Sequence, residues 1–171
     1  LPTAELLFKS QVFVDSEVVK LAEQRMQAIG LPMERIYFEP ATTDYMERYL
    51  DVDIALDTYP YPGGGTTADA LYMGVPVVSL YGERHGSRFG LSILQNVGLG
   101  ELAVADEDSY IERAAALAEN VELLDALHKN LRTMMRKSTF MNTKAYMKSL
   151  EAVYQEIYAA YQRKGNEAGA K

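Results

Sequence analysis

The sequence predicts an α/β fold, a parallel sheet with flanking helices and a helical C-terminal tail, on three observations. Strand-like apolar runs alternate with helix-like amphipathic runs through the first half of the chain. The runs Val52–Leu56 and Val75–Tyr81 are nearly continuous in apolar residues, as strands buried on both faces are. From Asp106 onward every stretch reads helical.

Glu5–Lys9 is the first short strand, and Asp15 is an acid placed to cap the helix that follows. That helix keeps Val18, Val19, Leu21, Ala22, Met26 and Ile29 on one face until Gly30 and Pro32 stop it. Arg35–Glu39 reads as the second strand, Thr43–Leu50 as a short helix and Val52–Leu56 as the third strand. A glycine turn leads into a helix over Thr66–Met73, then the strong strand Val75–Tyr81, a helix over Ser87–Asn96, and a short strand near Leu102–Val104. Helices are expected over Ser109–Ala118, Val121–Lys137 and Thr143–Tyr161. The last carries Tyr146, Leu150, Val153, Tyr154, Ile157, Tyr158 and Tyr161 on one stripe, a pattern expected to pack into a core, with part of it exposed if the chain is cut from a longer one. Residues 1–162 are expected to form one domain and residues 163–171 a polar, disordered tail.

At 171 residues the chain can bury one core, and 48% hydrophobic with 24% charged residues is a globular composition. A net charge of −7, with no basic stripe, argues against nucleic acid and anionic membrane surfaces as partners. No apolar run is long enough to span a bilayer as a helix, and no basic-then-apolar signal segment opens the chain. Without cysteine there are no disulfides, thiolate metal sites or thiol nucleophiles, which fits a reducing compartment such as the cytoplasm. With His85 and His128 the only histidines, no metal site is expected, and His128 reads as a surface residue. Leu1 is not a natural start, so the chain is expected to continue upstream.

The segment with the most chemistry is Asp57-Thr58-Tyr59-Pro60-Tyr61-Pro62-Gly63-Gly64-Gly65-Thr66-Thr67-Ala68-Asp69: a strand end, a proline-stiffened loop, three glycines and a helix start. Glycines let a ligand approach the backbone and make positive φ angles inexpensive. The N–H groups and positive macrodipole end of the following helix favour an anion, so the turn suits a phosphate. An ordinary tight turn with a threonine cap fits the same residues, and the run matches neither the P-loop nor the dinucleotide fingerprint. Asp69 lies where a carboxylate can reach a ribose hydroxyl, or simply favour the helix start.

The run Asp53–Tyr61 with Gly65–Val78, followed by Gly82–Arg88, Val97–Leu102 and Phe140-Met141-Asn142, resembles the C-terminal half of the catalytic region of glycosyltransferase family 41 over nearly the whole chain. That family includes the protein O-GlcNAc transferases and the SPINDLY O-fucosyltransferases. The resemblance implies the Rossmann-like C-terminal domain of a GT-B glycosyltransferase, holding most of a nucleotide sugar. It implies that Gly64, Gly65, Thr66 and Thr67 hold the pyrophosphate, that Asp69 holds the ribose, and that Pro40, Ala41 and Tyr45 frame the base. Tyr45 and Thr43 stand where the animal enzyme offers a histidine and a lysine, and a tyrosine ring can stack on a base. Gly65 stands where the resemblance would place a histidine ahead of the threonine pair.

In that setting His85, between a buried strand and the next helix, is positioned to touch sugar or acceptor, or to serve as an ordinary loop histidine. Arg84 and Arg88 can meet a phosphate or lie solvated. The activity implied is inverting, metal-independent transfer of GlcNAc from UDP-GlcNAc to Ser/Thr of an acceptor protein. No catalytic residue is implied within this chain beyond His85; the other catalytic half, and tetratricopeptide repeats, would lie upstream. A GDP-fucose donor and a non-catalytic scaffold that keeps the fold are the alternatives.

Overall fold

The computed structural model describes residue 1 and residues 3–169, with side chains described through residue 163. The described chain forms two compact units, Leu1–Asp51 and a second from Val52 onward. Each is an α/β unit built on parallel strands.

In the first unit, strand β1 (Leu6–Lys9) pairs in parallel with β2 (Ile36–Glu39), Leu6 opposite Ile36 and Lys9 opposite Glu39. Helix α1 (Ser16–Ala28) makes the crossover that a parallel pair requires. Asp15 caps it by accepting the N–H of Glu17, as its position predicts. Apolar cohesion comes from rings: Phe8 stacks on Phe38 at 5.3 Å between centroids, and Phe13 tilts against Phe38 at 5.1 Å. The helix expected over Thr43–Leu50 is instead a turn followed by a short 3₁₀ segment, Glu47–Asp51. Arg48 there turns its guanidinium to Glu39 and Asp51, and this ionic anchorage takes the place of an apolar face.

In the second unit the strands β3 (Ala55–Asp57), β4 (Val77–Leu80) and β5 (Ala103–Val104) run parallel in the order β3-β4-β5. Helix α2 (Gly65–Tyr72) joins β3 to β4, and α3 (Phe89–Val97) joins β4 to β5. Helices α4 (Glu107–Glu119) and α5 (Val121–Lys137) follow. The core is Ala70 and Leu71 of α2, Val77 and Val78 of β4, Leu91, Ile93, Leu94 and Val97 of α3, and Leu117 of α4. Leu127, Leu131 and Met135 of α5 close it, and their spacing of four places them on one helical face.

β3 departs from expectation. It is three residues long, Leu56 is 47% exposed, and the residue buried at its end is Asp57. Its apolar run is therefore not covered on both faces.

The last helix, α6 (Thr143–Gly169), runs past Arg163 into the stretch expected to be a tail; residues 170 and 171 lie outside the described residues. Its aromatic stripe does not pack into the core. Tyr146, Tyr154, Ile157, Tyr158 and Tyr161 are all exposed. Helical period fixes which residues share a face, but only a facing element can bury that face. His128, read as a surface residue, is half-buried, and its Nε2 is enclosed without a hydrogen-bond partner among the described residues. No described helix is long and apolar enough to cross a membrane.

Candidate functional site

The glycine turn lies in the second unit, between the end of β3 and the start of α2. It borders a cleft of about 630 Å³ lined by Asp57, Tyr61, Pro62, the three glycines, Thr66 and Phe89, among others. A smaller hollow of about 290 Å³ shares Gly64, Gly65 and Phe89 with it and is otherwise walled by Ala68, Ser92, Ile93 and Phe140.

The turn is shaped from below by Asp57. Its carboxylate, 7% exposed, accepts the Gly63 N–H on Oδ1, and the hydroxyls of Ser79 (2.9 Å) and Thr67 (3.4 Å) on Oδ2. One side chain thus joins β3, the turn, α2 and β4. Burial pushes its pKa up, and the hydrogen bonds from Gly63, Ser79 and Thr67 only partly offset that rise. The phenol of Tyr110 on α4, a half-buried residue whose hydroxyl is enclosed, is pushed up to about 12, first by desolvation and then by the charge of Asp57.

Two glycines make this arrangement sterically possible. A β-carbon at Gly63 would lie 2.5 Å from Thr66 Oγ1 and 2.6 Å from Thr67 Oγ1. One at Gly90, on the first turn of α3, would collide with Ser79 Oγ and Asp57 Oδ2. Gly64 and Gly65 differ, since a β-carbon on either would meet nothing within 4 Å. None of the three turn glycines has a positive φ. Their service is therefore close approach at Gly63 and an open floor at Gly64 and Gly65, rather than left-handed backbone.

Helix α2 starts at Gly65, and its N-cap, Gly64, brings no capping side chain. The first intrahelical bond of the turn is Ala68 N–H to Gly64 C=O at 3.1 Å. The helix thus presents its positive end toward the cleft beside Gly64, Gly65 and Thr66. The threonine pair divides: Thr66 is exposed and lines the cleft, whereas Thr67 is 4% exposed with its hydroxyl donating to Asp57. Asp69 is half-buried on α2, one residue beyond the first turn.

His85 opens a 3₁₀ turn after β4, and its ring stands edge-on to Phe89 at 5.4 Å, which brings it beside a wall of the cleft. Arg88 donates to the Gly82 carbonyl at 3.3 Å and stacks over the Tyr81 ring at 5.4 Å, so its guanidinium holds its own loop. Arg84 is exposed.

Pro40, Ala41 and Tyr45 belong to the first unit, on the loop after β2, and all three are exposed. Lys9 holds the loop's root by donating to the Pro40 carbonyl at 3.0 Å while pairing with Glu39 at 3.3 Å. Glu39 also takes the Arg48 guanidinium at 2.8 Å, and that contact first, with Lys9, holds its carboxyl below the usual range.

Asp57, Ser79, Gly90 and Phe89 are the residues of this neighbourhood to which sequence reasoning assigned no role. A signal existed for one of them: Asp57 is an acid ending an apolar strand immediately before a glycine-rich loop, at the carboxyl edge where α/β folds place their sites.

Residues 12–150 match the model of glycosyl transferase family 41. Over 163 residues, 94% of the chain, it is 35% identical to a barley (Hordeum vulgare) protein described as a probable UDP-N-acetylglucosamine–peptide N-acetylglucosaminyltransferase SPINDLY, and 34% identical to the Arabidopsis thaliana protein of the same description. The chain spans 17% of the former's length and 18% of the latter's. Among solved structures it is similar to a mutant of the Thermobaculum terrenum O-GlcNAc transferase, with a TM-score of 0.84 at 32% identity, over 91% of this chain and 30% of that one. The fold is accordingly that of the Rossmann-like C-terminal domain of a GT-B enzyme. By sequence and by structure, this chain belongs to glycosyltransferase family 41.

Proposed function

We propose that the chain is the nucleotide-sugar-binding half of an inverting protein O-glycosyltransferase, which moves GlcNAc from UDP-GlcNAc to a Ser or Thr hydroxyl of an acceptor protein. The observation that carries this reading is the open cleft at the positive end of α2, lined by Gly64, Gly65 and Thr66, in a chain of this family. The names of the relatives, peptide N-acetylglucosaminyltransferases, support the donor and the acceptor class.

In the reaction an acceptor oxygen attacks the anomeric carbon as the bond from that carbon to the diphosphate oxygen breaks. The leaving diphosphate gains negative charge. The N-terminus of α2 and the Thr66 hydroxyl stabilise that charge in place, and a pre-oriented dipole needs no reorganisation as the charge develops, so no metal is required for this step. Asp69 serves the ribose, and the loop with Pro40, Ala41 and Tyr45 serves the base. In this reading His85, whose ring stands edge-on to Phe89, serves the sugar or acceptor. The base that takes the acceptor proton lies elsewhere in the protein, with the second catalytic half and the tetratricopeptide repeats that the family resemblance implies.

Calorimetry on the full protein tests this reading. UDP is expected to bind more tightly than GDP, and a joint Thr66→Ala, Thr67→Ala variant to lose most of that affinity. Preference for GDP would assign a fucosyl donor instead, and no heat with either nucleotide at millimolar concentration would sink the nucleotide-sugar reading. Affinity unchanged by the double substitution would remove the turn from the site.

A further inference from the structure

Asp57 places a negative charge under a turn proposed to receive a negatively charged ligand. Electrostatics alone makes this unfavourable, since a carboxylate lining the cleft repels a diphosphate in it. Among the described residues the charge is moreover met by neutral donors: the Gly63 amide and the hydroxyls of Ser79 and Thr67. What the carboxylate does supply is four-way geometry. Oδ1 engages the Gly63 N–H, and Oδ2 ties Thr67 of α2 to Ser79 of β4. The packing around it is close: a β-carbon at Gly63 would strike the Thr66 and Thr67 hydroxyls, and one at Gly90 would strike Ser79 Oγ and Asp57 Oδ2.

We propose that Asp57 is a positioning residue for donor binding: by holding the Gly63 amide and the Thr67 hydroxyl inward, it leaves the amides of Gly64, Gly65 and Thr66 as the face offered to a diphosphate. The inference rests on the nucleotide-sugar reading of the cleft. It adds that the Thr67 hydroxyl acts from beneath, through Asp57, while its neighbour Thr66 faces the ligand.

The positioning role and simple charge repulsion predict opposite signs. Asp57→Leu keeps the approximate volume and removes both the charge and the acceptors; Asp57→Asn removes the charge and keeps an oxygen for Gly63. If Asp57 positions the turn, Asp57→Leu weakens UDP or GDP binding in the full protein by about tenfold or more, the scale of a lost buried hydrogen bond, while Asp57→Asn retains most of the affinity. Binding of the bare nucleoside, uridine or guanosine, stays as in the parent for both, because the base and ribose do not rest on the turn. A merely structural role would weaken nucleoside and nucleotide alike.

Should Asp57→Leu fail to fold, Ser79→Ala removes one donor from Oδ2 and is expected to lower nucleoside diphosphate affinity about threefold, again sparing the nucleoside. Tighter diphosphate binding in either Asp57 variant, equal losses for nucleoside and nucleotide, or parental affinity in Asp57→Leu would overturn the assignment. A parent that binds neither UDP nor GDP would overturn the nucleotide-sugar reading itself, and this inference with it. A parent that binds while Asp57→Leu binds equally well overturns only the role of Asp57.

Discussion

Two acidic residues end parallel strands in this chain, Glu39 at the end of β2 and Asp57 at the end of β3, and each roots a proline-containing loop proposed to contact the donor. Their settings are opposite. Glu39 is partly solvated and answered by two cations, Lys9 at 3.3 Å and Arg48 at 2.8 Å, so its charged form is favoured. Asp57 is buried and answered by an amide and two hydroxyls, so its charged form is disfavoured although its hydrogen bonds are satisfied. A solvated ion pair holds a loop loosely, because water competes for both partners. A buried carboxylate holds its loop through hydrogen bonds that are costly to leave unmade, and so fixes a turn more firmly. The loop after β2 is thus anchored mainly by solvated ion pairs, whereas the turn after β3 is anchored by buried hydrogen bonds.

The largest break in this contrast is expected at Gly90. Adding a methyl there drives it into Ser79 Oγ and Asp57 Oδ2, and Gly90→Ala should cost about 3 kcal/mol, as overpacking of a close-packed site does, read by chemical denaturation. Next comes the threonine pair. Thr67→Val leaves Asp57 short of a donor in a buried site and should cost about 1 to 2 kcal/mol of stability, whereas Thr66→Val should leave stability within about 0.5 kcal/mol. Equal costs at the two positions would erase the division between an inward and an outward threonine.

The pH dependence sharpens the comparison with its sign. The folded-state pKa of Asp57 lies above its unfolded value, so folding takes up a proton between the two, and this group lowers stability as the pH rises through that window. The folded pKa of Glu39 lies below its unfolded value, so its contribution is complete above the ordinary glutamate range and is lost as the pH falls through the folded value. Denaturation across the acid range should show Asp57→Asn gaining on the parent as the pH rises, and Glu39→Gln losing ground over the same rise. Parallel curves would mean that the two environments are alike. The smallest effect is expected at Arg48: because both of its ion pairs are partly solvated, Arg48→Ala should cost no more than about 1 kcal/mol, less at high salt.

The site was partly legible in the sequence. The glycine turn, Thr66 and the helix start could be placed because each follows from local backbone chemistry: a strand end, residues without β-carbons, and a helix N-terminus in order. Asp57 was overlooked because the sequence does not show whether a strand-ending acid faces solvent or core. That depends on Ser79, Thr67 and Gly90, which reach it from other elements.

By itself, the sequence determined the alternation of strands and helices, the Asp15 cap, the boundaries of α5 and the family pattern, because these rest on local propensity, periodicity and the order of residues along the chain. The tertiary structure alone decided the inward turn of Thr67, the burial of Asp57 and the exposure of the tyrosine face of α6. The physical reason is one and the same. A period says which side chains share a face, but burial, charge and hydrogen bonding are settled by the atoms that other segments bring against that face, and in α6 the tyrosines of the stripe stay exposed while at Asp57 four segments converge.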